Sequence, residues 1–152
     1  MIVRHGKAED IPRCLEMSEN FYKVAGYDSV IPFSAESSEV YFEAAMEMGL
    51  FSVAEKGGLA GFILGLSIPF LMNKSYLVGT ELAWWVEPEY RSTNIGVKLL
   101  EHIEKSAEEA GCVMWSMMCL ESQAPEKMEE LYLKLGYEPR ERTFTKVLKR
   151  NL

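Results

Sequence analysis

Histidine is nearly absent from this chain, with only His5 and His102, and cysteine is limited to Cys14, Cys112 and Cys119. No two cysteines stand at a metal-ligand or redox spacing and neither histidine has a spaced partner, so no metal is expected. The odd set of thiols in apolar surroundings reads as reduced and cytoplasmic. Positive charge is also scarce: 16 Lys and Arg against 23 Asp and Glu give a formal net charge of −7. Phosphate neutralisation needs a basic face, and the one basic cluster is the tail Lys146–Arg150, so no nucleic acid is expected as a partner. Acidity favours a cationic or amine ligand instead. The longest apolar run, Leu59–Met72, is too short and too interrupted by glycine to span a bilayer, and the opening MIVRHGKAED lacks the apolar core of a signal peptide. No membrane association is expected. Two phosphate-binding signatures, GxxxxGK[ST] and GxGxxG after a strand, are missing as well.

What remains is the composition of an ordinary globule, without repeats or low-complexity tracts, and the 152 residues read as one domain, 1–152, able to bury a core without staples. Ile2–His5 reads as a strand. Asp10-Ile11-Pro12 supplies an N-cap and a proline for a helix reaching about Val24, and Ser34–Met48 reads as a second helix with Val40, Ala44 and Met48 at one-turn spacing. Leu50–Glu55 and Ala60–Ile68 form a hairpin about Lys56-Gly57-Gly58. Ser75–Val86 is a third strand, stopped by Pro88, and Ile95, Leu99, Leu100, Ile103 and Ala107 mark the buried stripe of a helix closed by Gly111. Cys112–Leu120 reads as a buried strand. Pro125 opens a helix with Met128, Leu131, Tyr132 and Leu135 on one face, and Thr143–Leu148 reads as a closing strand. The order gives a mixed α/β sheet with both hairpin and crossover connections.

One stretch is unusual in so acidic a chain: between Tyr90 and Leu100, where a strand passes through a turn into a helix, there is no carboxylate. A helix start presents unpaired N–H groups and the positive end of the macrodipole, which suits an anion when the chain supplies no negative charge of its own. Arg91 and Lys98 reinforce it. On these grounds alone, a polar connection and an anion site are equally good readings.

The stretch Val86-Glu87-Pro88-Glu89-Tyr90-Arg91-Ser92-Thr93-Asn94-Ile95-Gly96 resembles the acyl-CoA-binding segment of the GNAT superfamily of N-acetyltransferases, V-x-P-x-[YF]-[RQ]-x-x-G-x-[GA]. "LYLKLGY", residues 131–137, resembles the family's [FL]-Y-x-x-[LF]-G-[FY]. The resemblance implies a mostly antiparallel, six- to seven-stranded central sheet flanked by four helices, with splayed fourth and fifth strands. It implies acetyl-CoA as acyl donor. The strand at Trp84 and Val86 would pair with the pantetheine arm, and Arg91, Thr93, Asn94, Ile95, Gly96 and Val97 would cradle the diphosphate. Asn94 replaces the motif's first glycine, and asparagine is among the few other residues that visit positive φ. Pro125 stands where many members carry a coenzyme-binding asparagine.

Acetyl transfer from a thioester to an amine needs a base for the amine's proton and an acid for the leaving thiolate. The resemblance gives the acid to Tyr132, whose plainer reading is a core tyrosine on its helix's apolar stripe. Glu81 is the candidate base: alternation puts it with Ala83 and Trp85, opposite Leu82, Trp84 and Val86, and burial there would raise its pKa. Its plainer reading is a solvated residue at the strand's beginning, and a bulge would change its face. "ELAWWV" resembles the E-[IL]-x-[YW]-W-[LV] strand of some members. Phe21, Tyr22, Tyr27 and Phe33 gather about the loop that in the family walls the acceptor pocket, and as core aromatics none is named a site residue. The expectation is an N-acetyltransferase acting on a primary amine of a small molecule or peptide. The alternative is an inactive GNAT-like domain binding acyl-CoA or a protein partner. Family members are often dimers, so a homodimer is an open expectation.

Overall fold

The computed structural model describes residues 1–149, so Arg150 at the end of the basic tail lies outside the described residues. The chain divides into two compact units, Met1–Phe21 with Ser34–Met118, and Tyr22–Phe33 with Cys119–Leu152.

The first unit is built on a five-stranded sheet of β1 (Ile2–His5), β2 (Phe51–Glu55), β3 (Leu59–Phe70), β4 (Asn73–Val86) and β5 (Cys112–Ser116), in that spatial order. The first three pairings are antiparallel and β4–β5 is parallel. Period-two alternation decides what each face meets. Phe51, Val53, Phe62, Leu64 and Trp85 turn to one face and form a buried cluster with Ile11, Cys14 and Met17 of α1 (Ile11–Ala25) and with Phe42 and Ala45 of α2 (Ala35–Glu47). The opposite face takes α3 (Ile95–Glu109), whose Ile95, Leu99, Leu100, Ile103 and Ala107 are all buried, as their spacing predicts. Gly111, at φ +89°, ends that helix.

Three local expectations change. Asp10 is not the cap of α1: a 3-10 turn at Ala8–Asp10 precedes the helix, and the Asp10 carboxylate accepts from the Lys7 amide at 2.8 Å and from Arg4 at 2.7 and 2.9 Å. That guanidinium holds its pKa below the usual carboxylate range. α2 starts as expected, with Ser34 capping the Ser37 amide, but its buried residues are Phe42 and Ala45 while Val40 and Met48 are exposed. The larger aromatic side chain takes the core position. β5 is shorter and less buried than expected. It is an edge strand with Val113 and Met114 exposed, and beyond Ser116 the chain leaves the ladder, the Met118 amide bonding to Glu81 instead.

The second unit contains α4 (Pro125–Lys134). Within it Tyr22 stacks on Tyr27 with ring centroids 6.2 Å apart, lies 5.8 Å from Phe33, and donates from its hydroxyl to the Ile31 carbonyl. Met128 and Leu131 of α4 are half-buried and Tyr132 is buried, but Leu135 is exposed. The expected strand at Thr143–Leu148 is absent: the segment has no ladder partner among the described residues, and Phe144 and Leu148 are exposed. A strand exists only through its neighbour's hydrogen bonds, so the sheet has five strands among the described residues, rather than six to seven. The four helices are as expected.

Candidate active site

β4 carries the site into place. Its pairing with β3 runs Gly61↔Val86, Phe62↔Trp85, Ile63↔Trp84 and Leu64↔Ala83, then shifts so that Gly65 faces Glu81. Leu82 is therefore the extra residue of a bulge, and both Leu82 and Ala83 pack against the α1/α2 cluster. Cross-strand partners share a face, so Glu81 lies with Gly65 and Trp84 on the side of α3, and not with Ala83 and Trp85 as strict alternation predicts. On that side the Trp115 ring covers two glycines. A Cβ at Gly65 or Gly79 would come within 2.4 or 2.5 Å of the indole, which is why this stretch of sheet is built from glycine.

Glu81 is 5% exposed, not solvated at the strand's beginning. Its one described partner is the Met118 amide, 3.2 Å from Oε2. Burial pushes the Glu81 pKa from the ordinary 4.5 up to about 7, against the smaller opposing pull of that N–H. Sequence reasoning missed Met118, since nothing in its residue type marks a backbone donor.

At its other end β4 enters a 3-10 turn, Pro88–Tyr90, and then Arg91–Asn94 before α3. The turn is tied down by its own groups: the Thr93 amide and hydroxyl donate to the Tyr90 carbonyl at 3.0 and 2.6 Å, and the Thr93 hydroxyl accepts from the Ile95 amide at 3.3 Å. No hydrogen bond reaches the amides of Asn94, Gly96 or Val97 among the described residues. They are the orphan donors of a helix start. Asn94 has φ −85°, so the turn closes without the positive φ expected of it, and its side chain makes no cap. Gly96 brings α3 close to β4, where a Cβ would lie 3.2 Å from Trp84 and 3.7 Å from Val86. The predicted coenzyme residues Trp84, Val86, Arg91, Thr93, Asn94, Ile95, Gly96 and Val97 thus come together at one strand end and one helix start, with no carboxylate in the first turn of α3.

Tyr132 belongs to the second unit, 8% exposed, its ring 5.5 Å from that of Tyr137. Pro125 occupies the first turn of α4 behind Ala124, which holds a left-handed φ of 42°. The histidines are adjacent, their ring centroids 4.9 Å apart, and His102 Nδ1 lies 2.8 Å from Ser52 Oγ. A cysteine nucleophile gains no support: burial pushes the Cys14 thiol up to about 12. Among the described residues no group of three or more His, Cys, Asp or Glu could hold a metal ion, and no helix is long and apolar enough to cross a membrane.

A bulged strand runs into a glycine-bearing helix start with open amides, as the resemblance to an acetyltransferase implies, and the family model for the acetyltransferase (GNAT) family matches residues 14–137. The chain belongs to that family. No curated protein sequence matches it. Solved structures share the fold: a Trypanosoma brucei acetyltransferase at 19% identity, covering 97% of this chain and 99% of its own with TM-score 0.71. An aminoglycoside acetyltransferase from an uncultured soil metagenomic sample, in complex with sisomicin, has 14% identity, coverage of 97% and 96%, and TM-score 0.72. A predicted acetyltransferase with acetyl-CoA from Clostridium acetobutylicum has 17% identity, coverage of 95% and 94%, and TM-score 0.70.

Proposed function

We propose that this chain is an acetyl-CoA-dependent N-acetyltransferase that moves an acetyl group directly to a primary amine of a small molecule or peptide. The observation that carries the reading is the turn before α3, where the amides of Asn94, Gly96 and Val97 have no partner among the described residues and the stretch between Tyr90 and Leu100 holds Arg91 and Lys98 but no carboxylate. Such a turn fits a diphosphate. Trp84 and Val86 of β4 would offer backbone groups to the pantetheine arm, and Arg91, Thr93, Asn94, Ile95, Gly96 and Val97 would hold the diphosphate.

In the reaction the amine nitrogen attacks the thioester carbonyl, its N–C bond forming as the C–S bond breaks. Glu81 takes the amine's proton, and with a pKa about 7 its carboxylate is substantially ionised near neutral pH yet basic enough to accept it. Tyr132 supplies the proton that leaves with the thiol. The soil aminoglycoside enzyme and the acidity of this chain favour a cationic acceptor. A second reading, a GNAT domain that binds acyl-CoA or a protein partner without turnover, draws on Asn94, which does not adopt the backbone a glycine there would serve, and on Pro125.

Calorimetric titration with acetyl-CoA, followed by thiol release against a panel of amines, tests the proposal. Micromolar binding, about −8 kcal/mol, together with amine-dependent thiol release is the expected result. Coenzyme binding without release by any amine favours the second reading, and no binding by the folded protein overturns the coenzyme site.

A further inference from the structure

We infer that Glu87 and Arg13 are positioning residues for the coenzyme turn: through Trp85 they fix the direction of Arg91 and thereby set the affinity for the diphosphate. The inference rests on the coenzyme reading above and concerns two residues outside the motif positions that carry it.

The contacts form an unbroken series within the first unit. Arg13 Nη2, on α1, lies 2.6 Å from Glu87 Oε1. The other oxygen of Glu87 accepts from the Trp85 indole N–H at 3.3 Å. The Arg91 guanidinium lies over the Trp85 ring, 4.4 Å from its centroid, and its Nε donates to the Val86 carbonyl at 2.9 Å. With Nε anchored and the plane stacked, the two Nη groups remain, and they make no hydrogen bond among the described residues. They are the edge of the fork that matches a phosphate bidentately.

Arg91 sits on an exposed turn, where an arginine left to itself samples many rotamers and gives up that freedom on binding. Its stacking surface removes much of that loss only if the indole is itself fixed. Phe21 meets the Trp85 ring edge-on at 6.5 Å, and Glu87 holds the indole nitrogen. Glu87 is 8% exposed, and a carboxylate so placed needs its cation, which is Arg13. The helix α1 is thus linked to the turn by side chains that touch no ligand.

The sign of the effect separates this role from plain electrostatics. Removing a carboxylate beside an anion site should tighten binding by charge alone, whereas removing the support of Arg91 should loosen it. Acetyl-CoA titration of Glu87→Ala is expected to show about fivefold weaker binding, and Arg13→Ala about threefold, with Arg13→Lys recovering most of the loss. In an Arg91→Ala background neither change should weaken binding further. Binding by Glu87→Ala that is unchanged or tighter overturns the inference, as does an undiminished loss in the Arg91→Ala background. Should Glu87→Ala fail to fold, Arg13→Ala compared with and without Arg91 decides, since a plain charge effect would persist in the Arg91→Ala background and Arg13 is 46% exposed. No binding by the unaltered chain overturns the coenzyme reading and this inference together. Binding by the unaltered chain with unaffected variants overturns this inference only.

Discussion

The middle of β4 and the residue just past its end handle a buried carboxylate in opposite ways. Glu81, beside the bulge of β4, is 5% exposed with a single backbone amide as described partner, and Glu87, just past the end of β4, is 8% exposed but bonded to Arg13 and to the Trp85 indole. Burial is nearly the same, so burial does not distinguish them. The partners do: Glu81 meets one backbone N–H, whereas Glu87 meets a guanidinium and an indole N–H. Under the roles proposed above, the first arrangement suits proton transfer and the second a fixed support.

The sharpest way to separate the two carboxylates is Glu81→Gln, which should lower turnover about 100-fold or more while leaving acetyl-CoA affinity unchanged. Steady-state thiol release and calorimetry on the same preparation check it. Loss of affinity with turnover intact would reverse the roles assigned to the two carboxylates. The turnover of the unaltered protein should rise as pH increases through about 7, where Glu81 loses its proton, and this limb of the profile should vanish in Glu81→Gln.

Next in size is a stability effect whose sign follows from the same group. Between an ordinary pKa of 4.5 unfolded and about 7 folded, the native state binds the extra proton, so stability falls as pH rises through that window. Glu81→Gln removes the cost of the buried charge. Relative to the unaltered chain it should gain roughly 3 kcal/mol above pH 7, and this pH-dependent gain should disappear below about pH 4.5. Urea unfolding at pH 4 and pH 8 measures the difference, and a gain equal at both values would mean that Glu81 carries no raised pKa.

A smaller effect probes the turn beyond Glu87. Thr93→Glu puts a carboxylate where the chain has none and removes the hydroxyl that bonds Tyr90 and Ile95. Acetyl-CoA affinity should drop about tenfold at low salt and recover in part at high salt as the added charge is screened. The smallest change expected is Gly96→Ala, whose Cβ would press on Trp84 at 3.2 Å. About a threefold loss of affinity is expected, with little change in melting temperature because alanine favours the helix that glycine disfavours.

Much of this was legible beforehand, and the reasons are local. The stripe of α3 and its glycine stop follow from helical periodicity and from a backbone that only glycine adopts easily. The carboxylate-free turn could be read because charge is a property of composition. Three other features could not be. The face of Glu81 turned on one extra residue in a strand, and no sequence pattern announces a bulge at Leu82. The Thr143–Leu148 segment is rich in residues that favour strands, such as Thr143, Phe144, Thr145 and Val147, yet propensity says nothing about whether an edge is there to receive it. Asn94 was expected at positive φ, and hydrogen bonds from Thr93 closed the turn another way.

By itself the sequence determined the order of helices and strands through most of the chain, the position of the charge-free turn, and the family motifs at residues 86–96 and 131–137. Tertiary structure alone decided that Glu81 is buried with no cation among the described residues while Glu87 is buried with one. It also decided that Trp115 lies across Gly65 and Gly79, and that Arg13 meets Glu87 from 74 residues away in the chain. The physical reason is that periodicity, capping and composition act between near neighbours, whereas desolvation and ion pairing depend on which distant side chains a folded strand is brought against.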